Sequence, residues 1–455
     1  MDVNQIMEPS FEGSMGKVYP EAEKREKESF LTFTLNYVSS RFSIITITVE
    51  PELVAVVHAQ TIELFKRKNY SGFGQKEVPQ EYLEDNFKGE IEKKIKDFLF
   101  KYKVMGYLFE EIIDRKIHVS NYPRLKDVEV TPERRVLYHF NVSLVEPFEL
   151  KEWKHFSFRS PKRKKYKDLD KQVVNFMGKE IISDKKQQSE IVEESDWVCL
   201  KSTLVDRAGQ FLDKEVSGIF WIRIKKYEVA DPFQELFLNK SIQQAFITDC
   251  LDLGSEAVYD YDSYQYNFLI TIRSIVKGSC LSLDVLKSTF KLKNKAEIHN
   301  KLMEVFSYRD DLSQRKAIIE ELFHIFLSKH RFEIPKHLIL RRQEDILVAV
   351  KERPDYQVYK SQKDFELYTE LLAEKQLKEE FLIDKIAYQE DVKIDFKDIQ
   401  NYLHLFNNSK LREFVYFKPV IEKIDQVNVP FNEGTLKHAV LREKTLNTVI
   451  HILTR

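Results

Sequence analysis

The sequence predicts an α+β multidomain protein, and three observations carry that prediction. The stretch "FLTFTLNYVSS" with "RFSIITITVE" alternates apolar and polar residues and is rich in β-branched side chains. Residues 196–276 return to that β character, in "DWVCLKSTLVD", "VSGIFWIRIKKYEV" and "YQYNFLITIRSIV". From residue 277 to the end the apolar residues recur at helical spacing instead. The expected architecture is an N-terminal strand-and-helix-pair domain, a small β-rich domain and a mainly α C-terminal domain.

Each element follows from local chemistry. Residues 1–28 are polar and charged and are expected to form a poorly ordered extension. Residues 29–150 form the first domain. After the two strands, Pro51 stands where a first helical turn tolerates it. Leu53, Val56, Val57, Ile62 and Phe65 then make a helical stripe. The loop "YSGFGQKEVP" follows, and from Gln80 one longer helix is expected, with Leu83, Phe87, Ile91, Ile95, Phe98 and Leu99 on one face. "RRVLYHFNVSLVEPFEL" returns as a strand. Residues 151–195 read as a polar connector with one helix, and 196–276 as the β domain. Residues 277–455 are the helical domain, where Asp395 is placed to cap a helix and Asp398 to sit in its first turn.

Composition narrows the function. Lys and Arg number 72 and Asp and Glu 73, a formal net charge of -1. That balance gives no DNA-binding footprint. The run Lys162–Lys165 reads as a solvated linker rather than a nucleic-acid contact. No apolar run reaches the length of a membrane span. The N-terminus has no secretory pattern, so a cytoplasmic location is expected. The three cysteines, Cys199, Cys250 and Cys280, form no close pair and read as buried thiols. His324 and His330 lack the i, i+4 spacing of a helical metal pair, and no phosphate-binding glycine motif occurs. No cofactor, no metal and no catalytic residue is expected.

The loop between the two N-terminal helices raises a sharper question. Gly72, Phe73, Gly74, Gln75, Lys76 and Pro79 place an apolar residue between two glycines, with a lysine close behind. Either Phe73 tucks into the helix pair, with Gly74 adopting a positive φ, or it is held out to dock on something.

These strings resemble the trigger factor family of bacterial ribosome-associated chaperones. The family's N-terminal loop reads G-F-R-x-G-K-x-P, and Gly72, Phe73, Val78 and Pro79 fall in register with it. Phe332-Glu-Ile-Pro335 resembles the F-x-I-P string between helices of its C-terminal domain. "QLKEEFLIDKIAYQEDVKIDFKDIQNYL" looks like its late helix pair. The resemblance implies an ATP-independent holdase for nascent or unfolded polypeptides. It implies a large-ribosomal-subunit contact through the loop and a helical cradle lying between the other two domains. The departures bear on that contact. Gly74 and Gln75 replace the family's cationic positions, and Glu77 replaces its lysine, so phosphate contacts are weakened.

The resemblance also implies that residues 196–276 are FK506-binding-protein-like. The family's Asp-Gly hairpin and I-P-G-x-E segment are missing, so prolyl isomerase activity is expected to be absent. Trp221, Phe220, Tyr227 and Phe233 read as core packing, and Tyr259 and Tyr261 as one face of a strand covering the core. Phe365, Tyr368, Phe381, Phe406, Phe414 and Phe417 are the candidate residues for lining the client cradle. Two alternatives stand beside the holdase: a prolyl isomerase with an auxiliary chaperone role, and an adaptor for one dedicated, non-ribosomal partner.

Overall fold

The computed structural model describes residues 30–39, 42–74, 77–119, 123–144, 148–162, 167–180, 190–226, 228–229, 231–249, 266–278, 283–309, 312–351, 354–361, 363–419, 423–424, 427–428 and 430–454. Gln75, Lys76, Arg163–Lys165, Tyr227, Cys250, Tyr259, Tyr261 and Cys280 lie outside these residues, as does the side chain of Phe233.

The first layer is a four-stranded antiparallel sheet of β1 (Leu31–Ser39), β2 (Phe42–Val49), β3 (Arg124–Val130) and β4 (Val136–Ser143). Their order is β1-β2-β4-β3. Along β4, Val136, Tyr138, Phe140 and Val142 are buried and alternate with half-buried residues, the period of a sheet with one face on a core. The sequence reading missed β3. Four of its seven residues are charged and almost all are exposed, so it has no apolar period to detect.

Helix α1 (Pro51–Phe65) begins at its proline as expected. The single long helix expected after the loop is instead α2 (Gln80–Asn86), α3 (Lys88–Leu99) and α4 (Met105–Asp114). Phe87 breaks the run with φ −124° and ψ 19°. A π-helical turn, Phe100–Val104, separates α3 from α4. Such a turn shifts the helical register. Tyr102 there stacks on Phe98 at 4.4 Å and on Phe268 at 5.0 Å between ring centres.

Phe268 belongs to the second sheet, made of β5 (Trp197–Val205), β6 (Ser217–Arg223), β7 (Ala245–Thr248) and β8 (Asn267–Val276). Its edge beyond β6 is completed by the two-residue strand Phe431–Asn432, which pairs with Trp221 and Phe220. Its central strand β5 is buried on both faces. Val198, Leu200, Phe220, Ile222, Phe268 and Ile270 join one core with the strand-and-helix layer. The alternate residues Trp197, Cys199, Trp221 and Val276 join a second core with the C-terminal helices. Phe220 and Trp221 are thus core residues, as expected. The expected cradle between two separate domains is replaced by a layered arrangement with this sheet in the middle.

The remaining helices are α5 (Leu169–Glu180), α6 (Asp231–Phe237), α7 (Leu283–Phe290), α8 (Lys295–Phe306), α9 (Gln314–Lys329), α10 (Lys336–Lys351), α11 (Tyr356–Lys360), α12 (Phe365–Gln389), α13 (Phe396–Asn407) and α14 (Glu433–Leu453). Asp395 caps α13 as expected. Its carboxylate accepts from Asp398 N at 2.9 Å, and Asp398 returns the bond to Asp395 N at 2.9 Å. The connector is less polar than expected. Trp153 is buried against α9 and α14, with Phe148, Phe156 and Phe158 packed beside it, so the stretch after Phe148 is an aromatic strap over the helical core. Helix α4 also meets the start of α14. A Cβ built on Gly434 would stand 2.9 Å from the Gly106 carbonyl oxygen, so only glycine allows the approach. Among the described residues no helix is long and apolar enough to cross a membrane.

Candidate client-binding arm

Helices α10 and α12 pack on each other and, with the short α11 that lies between them in the sequence, make up an arm. Leu338, Ile339, Ala373, Leu377 and Phe381 form its inner seam, continued by Ile334 and Phe332 of the F-E-I-P string. In α12 the residues Thr369, Ala373 and Leu377 lie along the buried face. At about 100° per residue, Leu367, Tyr368 and Leu371 fall toward the opposite face, with Leu372 on its flank. They are 42% to 62% exposed. Leu340 and Val348 of α10 and Val358 and Tyr359 of α11 are exposed as well. Eight of the seventeen large hydrophobic residues that stand exposed among the described residues are therefore on these three helices. A charged surround keeps such a surface in solution: Glu366 and Glu374 lie within the same turns, and Lys336 pairs with Glu370.

The root of the arm is polar and buried. Arg342 of α10 donates to both carboxylate oxygens of Glu380 on α12, at 2.8 and 2.9 Å. Arg442 of α14 reaches Glu380 at 2.9 Å and grips Asp384 at 2.8 and 2.7 Å. Burial alone would raise the Asp384 carboxyl, but Arg442 and His438 outweigh it and hold the group well below the usual carboxylate range. Glu379, one residue before Glu380, has the opposite balance. It accepts a 2.6 Å hydrogen bond from the Tyr416 hydroxyl at Oε2, while Oε1 accepts none among the described residues. Burial pushes its carboxyl up to about 7 against the pull of Tyr416 and Lys375.

The arm sorts the predicted cradle residues. Tyr368 is exposed and Phe365 half-buried at the start of α12. Phe381, Phe406, Phe414 and Phe417 are corrections, since all four are core residues. Phe381 fills the arm seam against Phe332, Phe406 and Phe414 pack in the core shared with the five-stranded sheet, and Phe417 packs on Phe323. Sequence reasoning favoured aromatics and passed over Leu367, Leu371 and Leu372. The available signal was width. The pairs 367/371 and 368/372 add a second apolar stripe to one already complete at 369/373/377.

The N-terminal loop is built differently from expectation. Gly72, not Gly74, holds the positive φ, at 91°. Phe73 is half-buried, its ring 4.8 Å from that of Tyr82 on α2. Val78 is buried, and Pro79 is exposed as the residue before α2.

No protein-family model matches the chain, and no curated protein matches it. Among solved structures it is similar to a chain described under promiscuous substrate recognition in folding and assembly activities of the trigger factor chaperone. The identity is 14%, the match covers 92% of this chain and 99% of that one, and the TM-score is 0.35.

Proposed function

We propose that this protein is an ATP-independent holdase that captures unfolded or nascent polypeptides on the outer face of its arm. The observation carrying the reading is the stripe Leu367, Tyr368, Leu371 and Leu372, exposed on a helix whose opposite face is already packed. The F-E-I-P string that opens the arm, similar to that of the trigger factor family, supports it. Apolar contact is non-directional and contributes about 25 cal/mol per Å2 buried, so a short stripe binds many sequences weakly and releases them without a nucleotide step. A docking role for the 72–79 loop at the ribosome belongs to the same proposal. The packing of Phe73 on Tyr82 means that such docking needs the ring to swing out or to present only its free edge.

The test is aggregation of a chemically unfolded enzyme, without nucleotide, in the presence of the wild type or the Leu371→Glu/Leu372→Glu variant. Both positions are exposed, so the variant keeps its Tm. Protection falls several-fold if the stripe binds clients; equal protection by the variant sinks the reading. Co-sedimentation with ribosomes tests the loop separately.

A further inference from the structure

Four largely buried carboxyls crowd the arm root, and three of them have a guanidinium. Arg342 and Arg442 hold Glu380, Arg442 also holds Asp384, and Arg315 lies 3.6 Å from Glu443 of α14. Glu379, 1% exposed, pairs with no guanidinium among the described residues. Its ion pair is with Lys375, one turn back on α12, at 3.9 Å and so past hydrogen-bond reach. The Lys375 side chain is exposed and leans equally on Glu320 of α9, at 3.8 Å. Glu320 and Glu380 push the Glu379 carboxyl up, as burial does, while the Tyr416 hydroxyl and Lys375 oppose them. Arg342 of α10, with Arg442 and Glu443 of α14, already has partners of its own. A buried carboxyl with one donor and no close cation is held as the neutral acid, because its charge would go uncompensated there.

Tyr416, the donor to Glu379, is a fixed post. Its backbone N–H and that of Phe417 donate to Glu443 at 2.8 and 3.1 Å, and the Tyr402 hydroxyl donates to the Phe417 carbonyl at 2.7 Å. Its ring lies 5.7 Å from that of Phe323 on α9. The stretch of α12 before Glu379 packs on α10 instead, through Ala373 and Leu377.

We propose that Glu379 is a proton-operated latch: as the neutral acid it seats α12 on Tyr416, and on losing its proton it frees the arm to swing about the Arg442 anchor. The ionised carboxylate reaches water only when α12 lifts off Tyr416. Arg442 still holds Glu380 and Asp384, so the part that moves is the outer stretch of α12, with α10 carried along through Arg342. That stretch bears Leu367, Tyr368, Leu371 and Leu372. The latch itself needs no client; only its use in capture rests on the holdase reading. Opening is favoured wherever the lifted state has released a proton that the seated state keeps, from the ordinary carboxylate range up to about pH 7, and gains nothing further above it.

Hydroxyl-radical footprinting of the full chain, without client, reads the latch from the exposure of Tyr416. Its oxidation is measured against that of Tyr368, which is exposed whether the arm is seated or lifted. In the wild type the ratio rises several-fold from pH 5 to pH 8, while Tyr138 and Trp221 of the two sheets stay unreactive. Glu379→Gln stays at the low ratio throughout. Lys375→Met removes the cation that eases ionisation in the seated state, so its ratio exceeds wild type at pH 8 and matches it at pH 5. Lys375 is exposed, so this variant folds. A ratio equal at pH 5 and pH 8, or a rise that survives Glu379→Gln, overturns the proposal. A rise shared by Tyr138 and Trp221 also overturns it, since that is global unfolding. With no client present, the result stands or falls separately from the aggregation test.

Discussion

Arg342 and Glu380 face each other across α10 and α12, Nη1 and Nη2 of the guanidinium each donating to one carboxylate oxygen, at 2.8 and 2.9 Å. The pair sits where the arm leaves the helical body, and Arg442 ties the same carboxylate to α14. The arm is thus fixed at its base by charge, while its outer face is apolar and unpaired.

Arg342→Met is expected to loosen the arm without unfolding the sheet layers. Glu380 keeps Arg442, so the loss is smaller than for a fully orphaned buried carboxylate, about 2 kcal/mol in urea unfolding. Amide exchange should speed up in α10 and in the first half of α12, with β5 and β8 unchanged. Uniform exchange across the molecule would contradict the local role.

Glu379 makes stability fall as pH rises. Its folded-state carboxyl titrates near 7, above the unfolded value of 4.5. Below 4.5 both states hold the proton and the group exerts no effect. Between 4.5 and 7 folding must retain a proton that the unfolded chain gives up, so stability drops, on the order of 3 kcal/mol by pH 8. His118 and His404, each lowered to about 4 chiefly by burial, act oppositely and add stability as pH rises from 4 to 6.5. The comparison of wild type with Glu379→Gln cancels them. The variant should match wild type at pH 4.5 and exceed it at pH 8; an equal difference at both pH values would refute the assignment.

Phe73→Ala separates a packed ring from a free tip. The contact with Tyr82 predicts a loss of about 1 kcal/mol in thermal or urea unfolding. A freely exposed Phe would leave stability within about 0.5 kcal/mol of wild type. Ribosome co-sedimentation of the same variant then reads docking against a known stability change.

Much of the fold was legible because its signals are local. The alternation in β1 and β2, Pro51 at the start of α1 and the Asp395–Asp398 box act over a few residues, and the structure places them as read. Non-local features were not legible. The charged strand β3 exists only because β4 offers it a partner. The strap around Trp153 looks like a linker until α9 covers it. The same reason divides the candidate site. An apolar residue in an amphipathic helix carries no mark of which side the neighbours will take. Phe381 and Tyr368 are alike in sequence terms, yet one faces the α10 seam and the other faces solvent.

The strand Phe431–Asn432 closes the five-stranded sheet against β6. The middle layer of the molecule therefore stays one strand short until Phe431 and Asn432 have been made, long after β6. Contacts between such distant parts of a sequence slow folding, because the intervening chain must be ordered before they form. During its own synthesis this protein carries an unfinished sheet edge along β6, and the helix starting at Glu433 follows directly on the strand that covers it.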